Sequence, residues 1–147
     1  MNLNKMQDAI IAEFDLVVDS IGSRLKYFRH LAGLGSRPGS QIETVRSGDK
    51  LIKDTRSKIW LDAQYKNGKV YYTADSDNRI MRGILSLYLR VFSGKTPLEI
   101  INSNIYFLSE IKLYKFLPPL RLKELSAVLQ GIRRHALSFK LQTLQAS

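Results

Sequence analysis

The residues of this chain that could do chemistry are a close pair of aspartates, two histidines and a block of cations. Asp75 and Asp77 fall where a strand pattern gives way to a helix, a placement open to paired-carboxylate acid–base work or, more simply, to capping of helix N–H groups. His30 and His135 both sit in helical patterns without HExxH or another paired ligand spacing, so both read as structural and no metal site is expected. Ser93-Gly94-Lys95-Thr96 has the ending of a phosphate-binding loop. Leu89-Arg90-Val91-Phe92 precedes it, however, with no glycine at the required offset and a helix where a strand should be, so it reads as a helix stop followed by a cap. The 147 residues include no cysteine, which removes disulfides, thiolate nucleophiles and thiolate metal ligands together.

The formal net charge is +10, and much of the excess lies in two blocks. Arg46, Lys50, Lys53, Arg56 and Lys58 form the first, and Arg133, Arg134 and Lys140 the second. Such blocks attract nucleic acid or an acidic protein, and they equally make a soluble surface. Trp60, Tyr65, Tyr71 and Tyr72 lie near the first block. They could form a stacking platform for single-stranded nucleic acid or, as alternating aromatics usually do, a core with cross-strand pairs. No RNP-like or GXXG motif accompanies them.

Elements that would position these groups follow from periodicity. Leu3, Met6, Ile10, Phe14, Val17 and Ile21 recur at helical spacing, with Asp8, Glu13, Asp15 and Asp19 on other faces. A second helix is predicted from Ser23 to Leu34, with Leu25, Phe28, Leu31 and Ala32 inward, Gly35 as its left-handed terminator and a loop at Arg37-Pro38-Gly39-Ser40. Alternation from Ile59 to Tyr65, then Asn67-Gly68, then Lys69 to Thr73 predicts a hairpin with a type I′ turn. Ser76 or Asp77 is expected to cap a helix carrying Ile80, Ile84, Leu87, Tyr88 and Val91, stopped by Gly94. Thr96-Pro97-Leu98-Glu99 has the form of a capping box. A further segment starts at Ser103 or Asn104, and after Pro118-Pro119 a long helix turns Leu122, Leu125, Val128, Leu129, Ile132, Ala136 and Phe139 to one side. The order gives an α+β fold: a small antiparallel sheet with a hairpin, covered by several helices, in one domain over residues 1–147. Without a signal-like N-terminus or a long apolar run, a soluble cytoplasmic protein with no membrane partner is expected.

The stretch from Val70 through Thr73, Asp75, Asp77, Arg79 and Arg82 to Ile84 resembles a signature of the SufE family. Asp54-Thr55-Arg56-Ser57-Lys58-Ile59-Trp60-Leu61 is similar to that family's Gly-Cys-Gln-Ser-x-Val-Trp-Leu, and Gly94 to Ile101 and Ile132 to Ala136 match its later motifs. The resemblance implies a compact α+β fold related to iron–sulfur scaffold proteins, docking on a cysteine desulfurase or another iron–sulfur assembly protein, no cofactor of its own, and sulfur relay through an acceptor cysteine. Thr55 stands at that cysteine's place, and an alcohol cannot hold a persulfide. Asp54 replaces the loop glycine and Arg56 the glutamine. Around Phe116 to Leu125 the family arginine is kept as Arg121, while its histidine, serine, asparagine and glycine are gone. Several departures together point to natural divergence rather than an introduced change. The expectation is a noncatalytic binding or regulatory partner of a cysteine desulfurase, with Asp54, Thr55, Arg56, Asp75, Asp77, Arg82 and Arg121 as partner-binding residues. The alternative is a basic module for nucleic acid or an acidic protein. A third reading, weaker in sequence support, is another enzyme using Asp54, Asp75 and Asp77.

Overall fold

The alternating residues from Ile59 pair across the predicted turn. In the computed structural model, which describes residues 2–18, 23–36, 46–53 and 55–146, β1 (Ile59–Lys66) runs antiparallel to β2 (Lys69–Ser76). Asn67 at φ 52° and Gly68 at φ 79° both take the left-handed conformation that a type I′ turn demands. β2 continues past Thr73 because Ala74, Asp75 and Ser76 pair with Leu61, Trp60 and Ile59 and are buried there, a tertiary setting that outweighs the poor strand propensity of aspartate. Single pairings of Leu51 with Trp60 and of Val70 with Lys95 extend the ladder on both sides.

Helices α1 (Leu3–Val18), α2 (Ser23–Ser36) and α3 (Arg79–Phe92) bury Ile10, Phe14, Tyr27, Leu31, Ile84, Leu87 and Val91 with Ile59 and Val70 of the hairpin. Ile21, the side chains of Val17 and Leu25, and the loop at Arg37 to Ser40 lie outside the described residues. Gly35 is not a left-handed terminator: it belongs to α2, and a Cβ there would stand 2.5 Å from the Arg79 carbonyl oxygen. A Cβ on Gly83 would collide with the Leu31 carbonyl, so these two glycines let α2 and α3 touch backbone to backbone.

The cap of α3 also differs from expectation. Asn78 supplies it, its Oδ1 accepting from Met81 N at 2.9 Å, because Ser76 is still strand and Asp77 is engaged elsewhere. Gly94, at φ 81°, ends α3, and the Thr96–Glu99 capping box opens α4 (Pro97–Ile101). Ser103 and Asn104 start no helix. Instead α5 (Phe107–Glu110) is capped from α1, where fully buried Gln7 accepts from Tyr106 N at 2.9 Å and Phe107 N at 3.2 Å. Its side-chain amide donates to Asn104 O at 3.1 Å. Left-handed Lys112 leads into α6 (Leu113–Phe116), and α7 (Pro119–Ala146) then buries Leu125, Val128, Ile132 and Ala136 as predicted. The fold is mixed α+β, and among the described residues no helix is long and apolar enough to cross a membrane.

Candidate functional site

The loop that enters β1 is fastened at both ends. Ile52 N donates to Ile59 O at 2.8 Å, folding the 52–59 segment back on itself. Within it the Thr55 hydroxyl donates to Ser57 O at 2.7 Å and stays partly accessible. Ser57 N donates to Glu124 Oε2 at 2.9 Å, and Arg121 Nη1 donates to Glu124 Oε1 at 2.8 Å and to Ser57 Oγ. Glu124 is only 2% exposed, so this carboxylate on α7 pins the loop from below. Lys58 N meanwhile donates to Asp77 Oδ1 at 3.0 Å, Asp77 N returns a bond to Lys58 O at 3.2 Å, and Ser76 Oγ donates to the same carbonyl at 2.7 Å.

Glu124 and Ser57 were missed by sequence reasoning. The available signals were the i,i+3 spacing of Arg121 and Glu124 and a glutamate where the family pattern has glycine. Replacing Glu124 by alanine strands the buried Ser57 N–H and leaves Arg121 without its carboxylate, with an expected cost of about 1–3 kcal/mol. Hydrogen exchange checks this directly, since protection of the Ser57 amide should fall further than that of the β1 amides.

Asp75 is fully buried. Its Oδ2 accepts from Arg46 Nε at 2.7 Å, its Oδ1 accepts from Ser76 N at 2.8 Å, and Arg82 Nε lies 3.7 Å away. Neither Asp75 nor Asp77 caps α3, and the two carboxylates serve separate partners rather than a shared proton. Asp75 has no exposed surface of its own, and the Arg46 guanidinium it holds lies 4.8 Å from the Trp60 ring centroid. Arg82 also donates to Gly35 O at 2.8 Å, which ties the signature helix to α2. Thr55, Arg56, Asp77 and Arg121 come together around one loop, while Asp54 lies outside the described residues.

The first basic block does not form one face of unpaired cations. Arg46 serves Asp75, and Lys50 Nζ pairs with Asp62 at 3.1 Å, whereas Lys53, Arg56 and Lys58 are exposed. Nor do the hairpin aromatics make a common platform. Trp60 and Tyr72 are buried, Tyr72 Oη donating to Ile132 O at 2.6 Å, and Tyr65 stacks on Phe139 with ring centroids 5.4 Å apart.

His30 packs edge-on against Phe14, and His135 packs edge-on against Tyr72. Burial holds the His135 imidazolium below the ordinary histidine range, with Asp62 opposing and Lys50 and Arg134 adding to the depression. Because its folded pKa is lower than its unfolded one, the neutral ring contributes stability above about pH 6.5 that is lost as pH falls toward the folded value. Thermal melts across that range should therefore show a downward slope on acidification, flattened in His135→Gln. Among the described residues no three His, Asp or Glu side chains converge as a metal site.

The sequence profile of the SufE family, described as an Fe-S metabolism associated domain, matches residues 8–136. An uncharacterized SufE-like protein of Synechocystis sp. is 24% identical over 116 residues, 79% of this chain and 73% of that protein. The solution structure of a hypothetical protein from Thermus thermophilus shares the fold, with a TM-score of 0.61 at 18% identity over 94% of this chain and 99% of that one. The profile runs from within α1 to well along α7, and on that ground the chain belongs to the SufE family.

Proposed function

We infer that this protein works by binding, as a noncatalytic or regulatory partner of a cysteine desulfurase or of another protein in iron–sulfur assembly. The observation that carries the reading is the Thr55 loop. The position that holds the acceptor cysteine in the family pattern holds an alcohol whose proton is given to the Ser57 carbonyl, in a chain with no cysteine. A neutral hydroxyl is a poor nucleophile and cannot carry sulfane sulfur. The pinning of the loop by Glu124 supports a fixed surface rather than a swinging acceptor. Thr55, Arg56, Asp77 and Arg121 would present that surface, with Arg46 held in place by Asp75. The reading treats residues 1–147 as one domain working in the cytoplasm. The nucleic-acid alternative is weakened by the engagement of Arg46 and Lys50 with carboxylates and by the separate environments of the aromatics.

Calorimetric titration into the cysteine desulfurase of the same organism, at low and moderate salt, tests this. The expected result is binding that persists at moderate salt and weakens in Arg56→Glu. Thr55→Cys alone should accept little persulfide while the clamp holds, and Thr55→Cys with Glu124→Gly should accept more. Absence of a complex at either salt would sink the desulfurase reading.

A further inference from the structure

A groove of about 800 Å³ runs between the 49–53 segment and α7, and it adjoins the Thr55 loop through Ile52, whose carbonyl accepts from the Thr55 hydroxyl at 3.4 Å. Its apolar base is built from Leu61 and Ile52, with Leu51 on the wall at 38% exposure, high for a leucine in a concave surface. Lys53, Lys123 and Arg134 stand exposed around it, and none of the three makes an ion pair with a described residue. Among the described residues one carboxylate lines the groove, that of Asp49, which accepts from Ser47 Oγ at 2.6 Å and faces Lys50 at 3.5 Å. Gly131 keeps α7 close to β1, since a Cβ there would lie 3.0 Å from Leu61 Cδ2.

We propose that this groove is a docking site for an amphipathic helix of a partner protein, aliphatic on one side and carboxylate-bearing along its flanks. The wall supplied by α7 extends from Lys123 to Ser138, about 22 Å at 1.5 Å per residue, which matches a partner segment of four helical turns. An apolar base removes the partner's aliphatic side chains from water, and the exposed cations around it select carboxylates and reject a basic helix. Nucleic acid is the poorer match, because among the described residues no Phe, Tyr or Trp lines the groove for base stacking and a single arginine does. The site goes beyond the desulfurase reading and stands whichever protein brings the helix.

The probe is a synthetic Leu/Glu amphipathic helix of about 16 residues, long enough to span the groove. Controls are the same composition scrambled, the same pattern with Lys for Glu, and a single-stranded oligonucleotide. The expected result is saturable binding of the first peptide alone, with amide shifts centred on Ala127, Gly131 and Ser138. His135 adds an independent readout, because it lines the groove among Lys50, Arg134, Asp62 and the Tyr72 ring. Incoming carboxylates should raise its titration midpoint, followed by NMR. Lys123→Glu with Arg134→Glu should weaken binding by about tenfold or more. Lys123→Ala with Arg134→Ala serves if the reversal disturbs α7. Equal binding of the scrambled peptide, unchanged affinity in folded charge variants, or preferential binding of the oligonucleotide at the same residues would each overturn the proposal. Self-association abolished by the same variants would overturn it too, giving the groove to a second copy.

Discussion

Gly83→Ala is expected to lower the melting temperature by roughly 10 °C, from a loss of about 3 kcal/mol. By propensity alone the change should help, since alanine is favoured over glycine inside a helix by about 1 kcal/mol. The added methyl meets the Leu31 carbonyl, a backbone atom that cannot swing aside like a side-chain tip. Relief requires α2 and α3 to separate, which opens gaps around Leu31, Ile84 and Leu87, all now fully buried. Differential scanning calorimetry of the two proteins decides the sign. A rise in melting temperature would show that the helices part without loss.

Asp75→Ala should cost about 3 kcal/mol, the low end of the range for removing one partner from a buried ion pair, because the carboxylate is inaccessible while the Arg46 side chain is 37% exposed. The carboxylate is wholly inaccessible and is shared by two guanidinium groups from different parts of the chain, Arg46 and Arg82. Without it two like charges face one another, the Ser76 amide loses its acceptor and Arg46 loses its hold over Trp60. Urea denaturation gives the value. Asp75→Ala with Arg82→Met should recover part of it, because the second change removes one of the two like charges left facing one another. An exposed or merely capping aspartate would show a loss near 1 kcal/mol and no recovery.

What could be read from the chain was whatever is encoded within a few neighbours. Asn67-Gly68, the Thr96–Glu99 box, Gly94 and the apolar stripes of α3 and α7 each specify their conformation through bonds or sterics spanning four residues or fewer, and they came out as expected. Gly35 defeated that logic. A glycine near the end of a helical pattern has the same appearance whether it terminates the helix or makes room for another, and here room for Arg79 decided. Asp75 is the corresponding case among the site residues. An aspartate at a strand-to-helix junction offers the same short signal as a cap, and only the arrival of Arg46, at a separation of 29 residues, makes it a buried counter-ion. The Glu124 clamp on Ser57 spans 67 residues, and the i,i+3 spacing of Arg121 and Glu124 marks a pair on α7 without showing what that pair holds. Thr55 was found through resemblance. Its neighbours' roles depended on contacts that no window of sequence contains.

The capping of α5 by Gln7 sets a constraint on the order in which the chain can assemble. The bonds from Tyr106 and Phe107 to Gln7 close loops of 99 and 100 residues, and Tyr27 Oη reaches Ile111 O over 84. As the polypeptide leaves the ribosome, α1 and α2 emerge long before the segment they must hold. Until it appears they can pack on the hairpin and α3, but the part of their surface that Tyr106, Phe107 and Ile111 will cover stays open. The hairpin with α3 is the unit with the shortest contacts and is the natural nucleus. Pulse-labelled refolding should then protect the β1 and β2 amides first and those of α1 together with α5, so that the two distant helices become native in a single late step.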